Sequence, residues 1–461
     1  MQPSRFLVLM LSALGALFSV DGVSAAQTVN TLLNFAGTNG QFPVNVTLAQ
    51  GRDGNLYGTT TGDGVTSFGS IFRIKPNGGG TTLYKFTGSE GSGPAGGVTL
   101  ASDGNCYGTA QAGGTFGQGI LFRVTPHGQL SVLHNFSGQA DGGVPLAPPI
   151  EGSDGNLYGT TVSSAAATGT VYRFTRSGTL TTIYTFTQSN GYFPVGLIQG
   201  SDGFLYASVV LGGAFGDGAY LKLSAAGVLK DVYILRPTAA EPAGPLVEAA
   251  DGNLYGGLDF GGTYNLGLVA SLNSTTGVLS TLYSFGANRA DGVVPNGGLV
   301  QASDTNFYGL TAGGGQGDVG VIFQLKLDGS YAPLYSFVPS QFNSGVLAYT
   351  LTQHTGGKFY GTTEVGGTHG LGSVYSLDMG LGPFVAFVQA AGSVGGTAQI
   401  LGQGFTGTTS VTFNGIPATS FRVFADTYMT AVVPSGATTG KVVVTTPGGA
   451  LTSNVSFRVV N

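Results

Sequence analysis

One short string returns seven times along the chain, and no other feature limits the fold as much. Ser-Asp-Gly-Asn-Leu-Tyr-Gly, or a variant of it, places its tyrosine at 57, 107, 158, 206, 255, 308 and 360. The intervals are 50, 51, 48, 49, 53 and 52 residues. A second string of the type Gly-x-Val-Phe-Arg-Leu follows each tyrosine, from Ile71-Phe72-Arg73-Ile74 to Val374-Tyr375-Ser376-Leu377. A third, Leu-Tyr-x-Phe, ends the first six repeats, from Leu83–Phe86 to Leu334–Phe337. Its seventh copy, Leu32-Leu33-Asn34-Phe35, stands ahead of the first repeat.

Each unit reads as four short strands in about 50 residues, the size of one propeller blade. Asp-Gly between two apolar runs is a strong hairpin signal, and it predicts a type I′ turn. A closed ring gives the displaced strand a purpose, because an N-terminal strand can complete the last blade and remove an unpaired edge. The expected fold is therefore all-β: a seven-bladed β-propeller over 27–381, closed by strand 29–35. A Gly-rich β-solenoid is the competing architecture.

Composition narrows the function classes. The 82 glycines have no triplet period, which excludes collagen, and the 29 Phe and 20 Tyr exclude a disordered chain. Lys and Arg number 17 against 22 Asp and Glu, so the net charge is −5. A charge-poor, weakly acidic chain lacks the basic footprint of a nucleic-acid binder or a polybasic membrane-surface protein.

Residues 1–26 read as a secretory signal peptide. Arg5 precedes the apolar run Phe6 to Val20, and Val23-Ser24-Ala25 puts small residues before a cut after Ala25 or Ala26. No later segment reaches the length of a membrane span, so a secreted or cell-surface location is expected. The lone Cys106 stands where sister repeats carry Leu and is expected to be a buried, unreactive thiol. The repeat tyrosines are expected to pack between blades. Asp53, Asp103, Asp154, Asp202, Asp251 and Asp304 are expected to form turns rather than calcium loops, since each turn carries one carboxylate.

After Leu381 the repeat stops at Gly382-Pro383. Alternating strands with turn signals every 8–12 residues predict a small β-sandwich over 382–461. The order Gly402-Gln403-Gly404-Phe405, Val411-Thr412-Phe413-Asn414-Gly415, Val433-Pro434, Lys441-Val442-Val443-Val444, Pro447-Gly448-Gly449 resembles the IPT/TIG family of immunoglobulin-like domains. That resemblance implies a spacer or binding module without catalytic residues. The repeat itself resembles the GloVer tandem repeat of secreted "choice-of-anchor" proteins, best around Tyr57, Tyr107 and Tyr158. It is weaker where Phe204 and Ala207 replace Asn and Gly, and where His354 to Gly357 replace the Asp turn. The family implies a cell-surface or secreted location and no established activity.

Propeller geometry says where a ligand would bind. The Asp-Gly-Asn turns share one face, and the longer, more varied loops share the other, where binding loops belong. Nine residues after the repeat tyrosine several loops carry a ring: Phe116, Phe215, Tyr264 and His369, with Phe68 displaced by two. Such rings either stack on carbohydrate or peptide or plug gaps between blades. Glu90, Asp141 and Asp291, each before a glycine, belong to the same face, as candidate acid/base groups or as ordinary turn formers. Four dispersed histidines offer no metal spacing, and no phosphate loop or nucleophile elbow is present. No cofactor is expected. The function expected is non-catalytic binding or scaffolding, with an extracellular polysaccharide or protein as the unidentified partner. The alternative is an extracellular glycan-active lyase or hydrolase, since a fold does not settle chemistry.

Overall fold

The computed structural model of the protein describes residues 27, 29–62, 68–164, 167–338 and 348–460. The expected signal peptide, 1–26, lies outside the described residues. The described chain is β throughout, apart from one 3-10 turn at Arg289–Asp291. Each repeat builds one antiparallel sheet, numbered here 1 to 7 in chain order. Sheet 1 runs Ala49–Gln50, Leu56–Thr60, Ser70–Ile74, Gly80–Lys85, and sheets 2 to 6 follow the same consecutive order. Sheet 5 has a fifth strand, because its first strand is split into Ala239–Pro242 and Val247–Glu248. Sheet 7 takes Ala348–Gln353, Phe359–Thr363 and Ser373–Leu377 from its own repeat, and its outer strand is Val29–Asn34. That strand pairs antiparallel with Ser373–Leu377, from Val29 opposite Leu377 to Asn34 opposite Ser373.

The apolar core is divided among the spaces between successive sheets. Tyr57, Ile71 and Phe86 of sheet 1 pack on Val98, Cys106 and Phe122 of sheet 2. Equivalent clusters lie between each later pair of sheets. Phe35, Val46, Leu56, Phe72, Tyr360 and Val374 fill the space between sheets 7 and 1. The last aromatic of the third string is buried every time it is Phe, as with Phe35, Phe86, Phe136 and Phe186. Burying one such ring stabilises by about 1.5–3 kcal/mol.

Two glycines per repeat have specific steric reasons. In sheets 1, 2, 3, 6 and 7 the glycine after the repeat tyrosine faces the third-strand aromatic across the ladder, as Gly58 faces Phe72. A Cβ on Gly58 would lie 2.6 Å from the ring Cζ. In sheet 4 the pair is Ala207 opposite Leu221, so the smaller partner makes room for the methyl. The glycine before the third strand has positive φ, 93° at Gly69 and 93° at Gly372. The proline that opens the next sheet packs on it: a Cβ would meet Pro94 Cδ at 2.5 Å from Gly69, and Pro43 Cδ at 2.7 Å from Gly372.

The turns depart from the expected type I′. In sheet 1 the amide of Gly54 donates to Gly51 O at 3.1 Å and that of Gly51 to Asn55 O at 2.8 Å. Only Gly54 has positive φ, at 73°. This is a three-residue loop, a type I turn followed by a left-handed glycine. Asp53 keeps a negative φ and caps the turn instead, its Oδ1 accepting from the Asn55 amide at 3.1 Å.

Beyond residue 383 two four-stranded antiparallel sheets form, in strand order Ala386–Phe387, Thr397–Leu401, Tyr428–Val432, Phe421–Ala425 and Ile416–Pro417, Ser410–Phe413, Val442–Thr446, Gly449–Thr452. Ala391–Ser393 and Arg458–Val460 add a parallel pair. Their shared core includes Ile400, Phe405, Phe413, Met429, Val444 and Phe457.

Candidate functional site

The Asp-Gly-Asn turns lie on one face of the seven sheets, and a repeated hydrogen-bond unit holds them. The repeat tyrosine hydroxyl donates to Oδ2 of the Asp four residues earlier: Tyr57 to Asp53 at 2.8 Å, Tyr107 to Asp103 at 2.7 Å, Tyr158 to Asp154 at 2.7 Å. Tyr206, Tyr255 and Tyr308 repeat the bond. Burial, then this acceptor, pushes the Tyr158 hydroxyl up to about 12. In the seventh repeat Tyr360 donates to Pro76 O of sheet 1 at 3.0 Å. His354 takes over the turn there: its Nδ1 accepts from the Gly356 amide and its Nε2 faces Gly54 O, each at 3.0 Å. The unit is structural. Tyr158→Phe is expected to lower unfolding stability by about 1 kcal/mol through the unpaired Asp154 oxygen, read as a shift of the urea midpoint; an unchanged midpoint would mean the bond contributes nothing.

A second network escapes a reading of the repeats taken singly. Seven residues before the repeat tyrosine stand Gln50, Glu151, Gln199, Glu248, Gln301 and Gln353. Each accepts from a turn amide of the preceding sheet: Glu151 from Ser102 at 2.7 Å, Gln199 from Ser153 at 2.8 Å, Glu248 from Ser201 at 2.6 Å, Gln301 from Ala250 at 3.0 Å, Gln353 from Ser303 at 2.8 Å. Gln50 accepts from Thr355 at 2.9 Å, so sheet 7 is tied to sheet 1 in the same way. The fixed offset from tyrosine was the available signal.

Leu100 interrupts that series, and the C-terminal sheets dock there. Arg52 donates to Gln399 Oε1 at 2.6 Å and Ser102 O at 2.7 Å, with its guanidinium 4.5 Å over the Tyr428 ring. Gln399 donates to Ser102 O at 2.8 Å, and Gln389 to Gly152 O at 2.9 Å. Gln403 reaches Thr355 Oγ1 at 2.9 Å. The turn face is thus covered over sheets 7, 1, 2 and 3. Over sheets 3 to 5 a cleft of about 490 Å³ stays open against the C-terminal sheets, bordered by Glu151, Gln199, Glu248, Gln389 and Arg458. Its acids are already engaged, Glu151 by Arg176 and Ser102, and Glu248 by Ser201.

The expected site residues lie on the opposite face, and they divide into two groups. Glu90 and Asp141 close their own loops. Burial pushes the Glu90 carboxyl up, but hydrogen bonds from Thr87 and from Tyr84 at 2.9 Å outweigh it and hold it at about 2. Asp141 likewise accepts from Ser137 and contacts His134 Nε2 at 3.0 Å, and it stays below the usual carboxylate range despite burial. Asp291 differs: burial raises its carboxyl, and its main-chain oxygen accepts from Tyr331. The hydrogen bonds of Glu90 and Asp141 stay within their own repeats. The rings are exposed instead: Phe116 is 59 % exposed and Phe215 and Tyr264 51 % each. His369 is exposed too. Phe68 departs from them, lying partly buried against the sheet 1–2 core.

The strongest carboxyl perturbation on this face belongs to a residue that the sequence pattern passes over. Asp259 lies on Leu254–Gly261, facing Glu241 on Ala239–Pro242, and burial followed by the Glu241 charge raises it to about 7. Cys106 is buried, and its thiol is pushed up to about 12. Among the described residues no three His, Cys, Asp or Glu side chains gather as a metal-binding group, and no helix is long and apolar enough to cross a membrane.

Among solved structures, the fold is similar to a fungal alcohol oxidase of the AA5 family in complex with copper, at 14% identity over 95% of this chain and 100% of the other, TM-score 0.53. An oligogalacturonate lyase from Vibrio parahaemolyticus matches at 10% identity over 77% and 94%, TM-score 0.50. A puromycin hydrolase matches at 11% over 71% of this chain and 50% of its own, TM-score 0.51, so this chain spans about half that enzyme. At these identities the likeness is one of fold alone. Among curated proteins no sequence matches. The signature of the Gloeobacter/Verrucomicrobia repeat matches residues 11–161, 80–241, 127–285 and 232–421, and the chain belongs to that repeat family.

Proposed function

We propose that the seven sheets form a seven-bladed β-propeller sealed by its N-terminal strand, carrying an IPT/TIG-like sandwich on its turn face. The protein is then a secreted or cell-surface binding protein without catalysis, and its partner is an extracellular polysaccharide or protein. One observation carries the reading: the C-terminal sheets cover most of the turn face, while Phe116, Phe215 and Tyr264 stand exposed on the other. Exposed rings on a rigid scaffold offer stacking area at small entropic cost. The acids of that face favour binding over hydrolysis, since Glu90 and Asp141 are spent on their own loops. A glycan array followed by prolonged incubation tests this. Retention of a glycan at unchanged chain length is expected, and shortened chains would replace the reading with a lyase or hydrolase.

A further inference from the structure

Sheets 4 and 5 differ from the other neighbours on the varied face. The connection from outer strand to the next opening proline takes seven residues there, Leu235 to Pro242, against eight from Phe86 to Pro94 and ten from Phe285 to Pro295. In sheets 3 and 1 this connection bonds to the outer strand it approaches: Thr182 Oγ1 donates to Ala140 O at 2.8 Å, and Thr82 Oγ1 to Asn39 O at 3.4 Å. Thr281 holds the matching place in sheet 5 and lines an open groove instead. The groove measures about 490 Å³, within the usual range of ligand pockets. Ile234, Arg236, Thr238, Thr263, Thr281 and Ser284 border it, and Leu268 and Leu279 supply an apolar floor.

Arg236 decides the chemistry. Its guanidinium lies 4.8 Å from the centroid of the exposed Phe215 ring. It makes no ion pair or side-chain hydrogen bond among the described residues, unlike Arg176 or Arg289. A guanidinium stacked on a ring keeps its donor edge free, and that planar fork matches a carboxylate. Hydroxyls on the walls and aliphatic carbon below match the alternating O–H and C–H surfaces of a sugar ring.

We propose that this groove binds an acidic oligosaccharide, with a uronate carboxylate on Arg236 and an adjoining ring against Phe215. The proposal rests on the glycan-binding reading of this face and names its ligand class. Thr281 and Thr263 hydroxyls would meet the sugar hydroxyls, and Leu279 the C–H face.

The test is calorimetric titration of the intact chain with a short oligogalacturonate, its methyl-esterified counterpart and a polyglutamate peptide. The expected result is binding of the oligogalacturonate that weakens at least about tenfold in Arg236→Ala, on loss of a charge-assisted pair. Phe215→Ala should also weaken it, Arg236→Lys should restore part of it, and the methyl ester should bind no better than Arg236→Ala does the acid. An unchanged melting temperature keeps loss of folding apart from loss of the site. If neutral glycans are retained while oligogalacturonate is not, this inference falls and the broader reading stands. If no glycan of any kind is retained, both fall. Equal binding of polyglutamate, or full affinity in Arg236→Ala, overturns the sugar assignment.

Discussion

Removing residues 27–36 is expected to lower the melting temperature by about 5 °C, the counterpart of roughly 5 kcal/mol in a chain of this size. The segment supplies the whole outer strand of sheet 7, with Val29, Asn30, Thr31, Leu33 and Asn34 in register with Ser373–Leu377. It also supplies Phe35, fully buried and edge-on to Phe72 with ring centroids 5.2 Å apart. Truncation therefore exposes a strand edge and opens the core between sheets 7 and 1 at once. Phe35→Ala separates the two effects: it keeps the ladder and is expected to cost about 3–5 kcal/mol from the cavity. Thermal and urea unfolding of both variants read this out. A truncated chain that melts with the intact one would remove the closure reading.

The second large effect is on pH dependence. Asp259 holds its proton to about pH 7 in the folded protein, against an ordinary aspartate value of 3.8. An acid raised on folding favours the folded state while protonated. That contribution is complete below about pH 4 and is lost as pH rises toward 7. A full shift of this size corresponds to about 4 kcal/mol, and partial solvent access reduces it to roughly 2 kcal/mol. Asp259→Asn removes the charge at every pH. The variant is expected to be more stable than the parent at pH 8 and to lack its decline between about pH 4 and 7, as followed by urea unfolding from pH 4 to 8. Parallel pH profiles for the two proteins would show that neither burial nor Glu241 raises the Asp259 carboxyl on folding.

The acids illustrate why a sequence pattern locates a surface more readily than a chemistry. Glu90 and Asp141 fall at matching places in the repeat, as the expected acid/base groups did. Their function is set by what lies within 3 Å: Tyr84 and Thr87 for one, His134 and Ser137 for the other. Asp259 has no acidic counterpart in most repeats, so periodicity hides it. Its perturbation comes from burial opposite Glu241, on the split first strand that only sheet 5 has.

The repeat alone carried the strands, their order and the buried aromatics, because period-two burial and turn chemistry act between near neighbours in the chain. The displaced Leu32–Phe35 copy also marked the pairing of the first strand with the last sheet. The turn geometry was half legible: Asp-Gly marked the position, while the pairing of Gly51 with Asn55 makes it a three-residue loop. The tertiary structure decided everything that depends on partners far apart in sequence. Gln399 meets Ser102 across 297 residues and seats the C-terminal sheets beside Leu100. Arg236 lies over the Phe215 ring beside a groove at the shortest of these connections. Such contacts follow from how whole sheets lie against one another, and a linear pattern of side chains contains no distance between sheets.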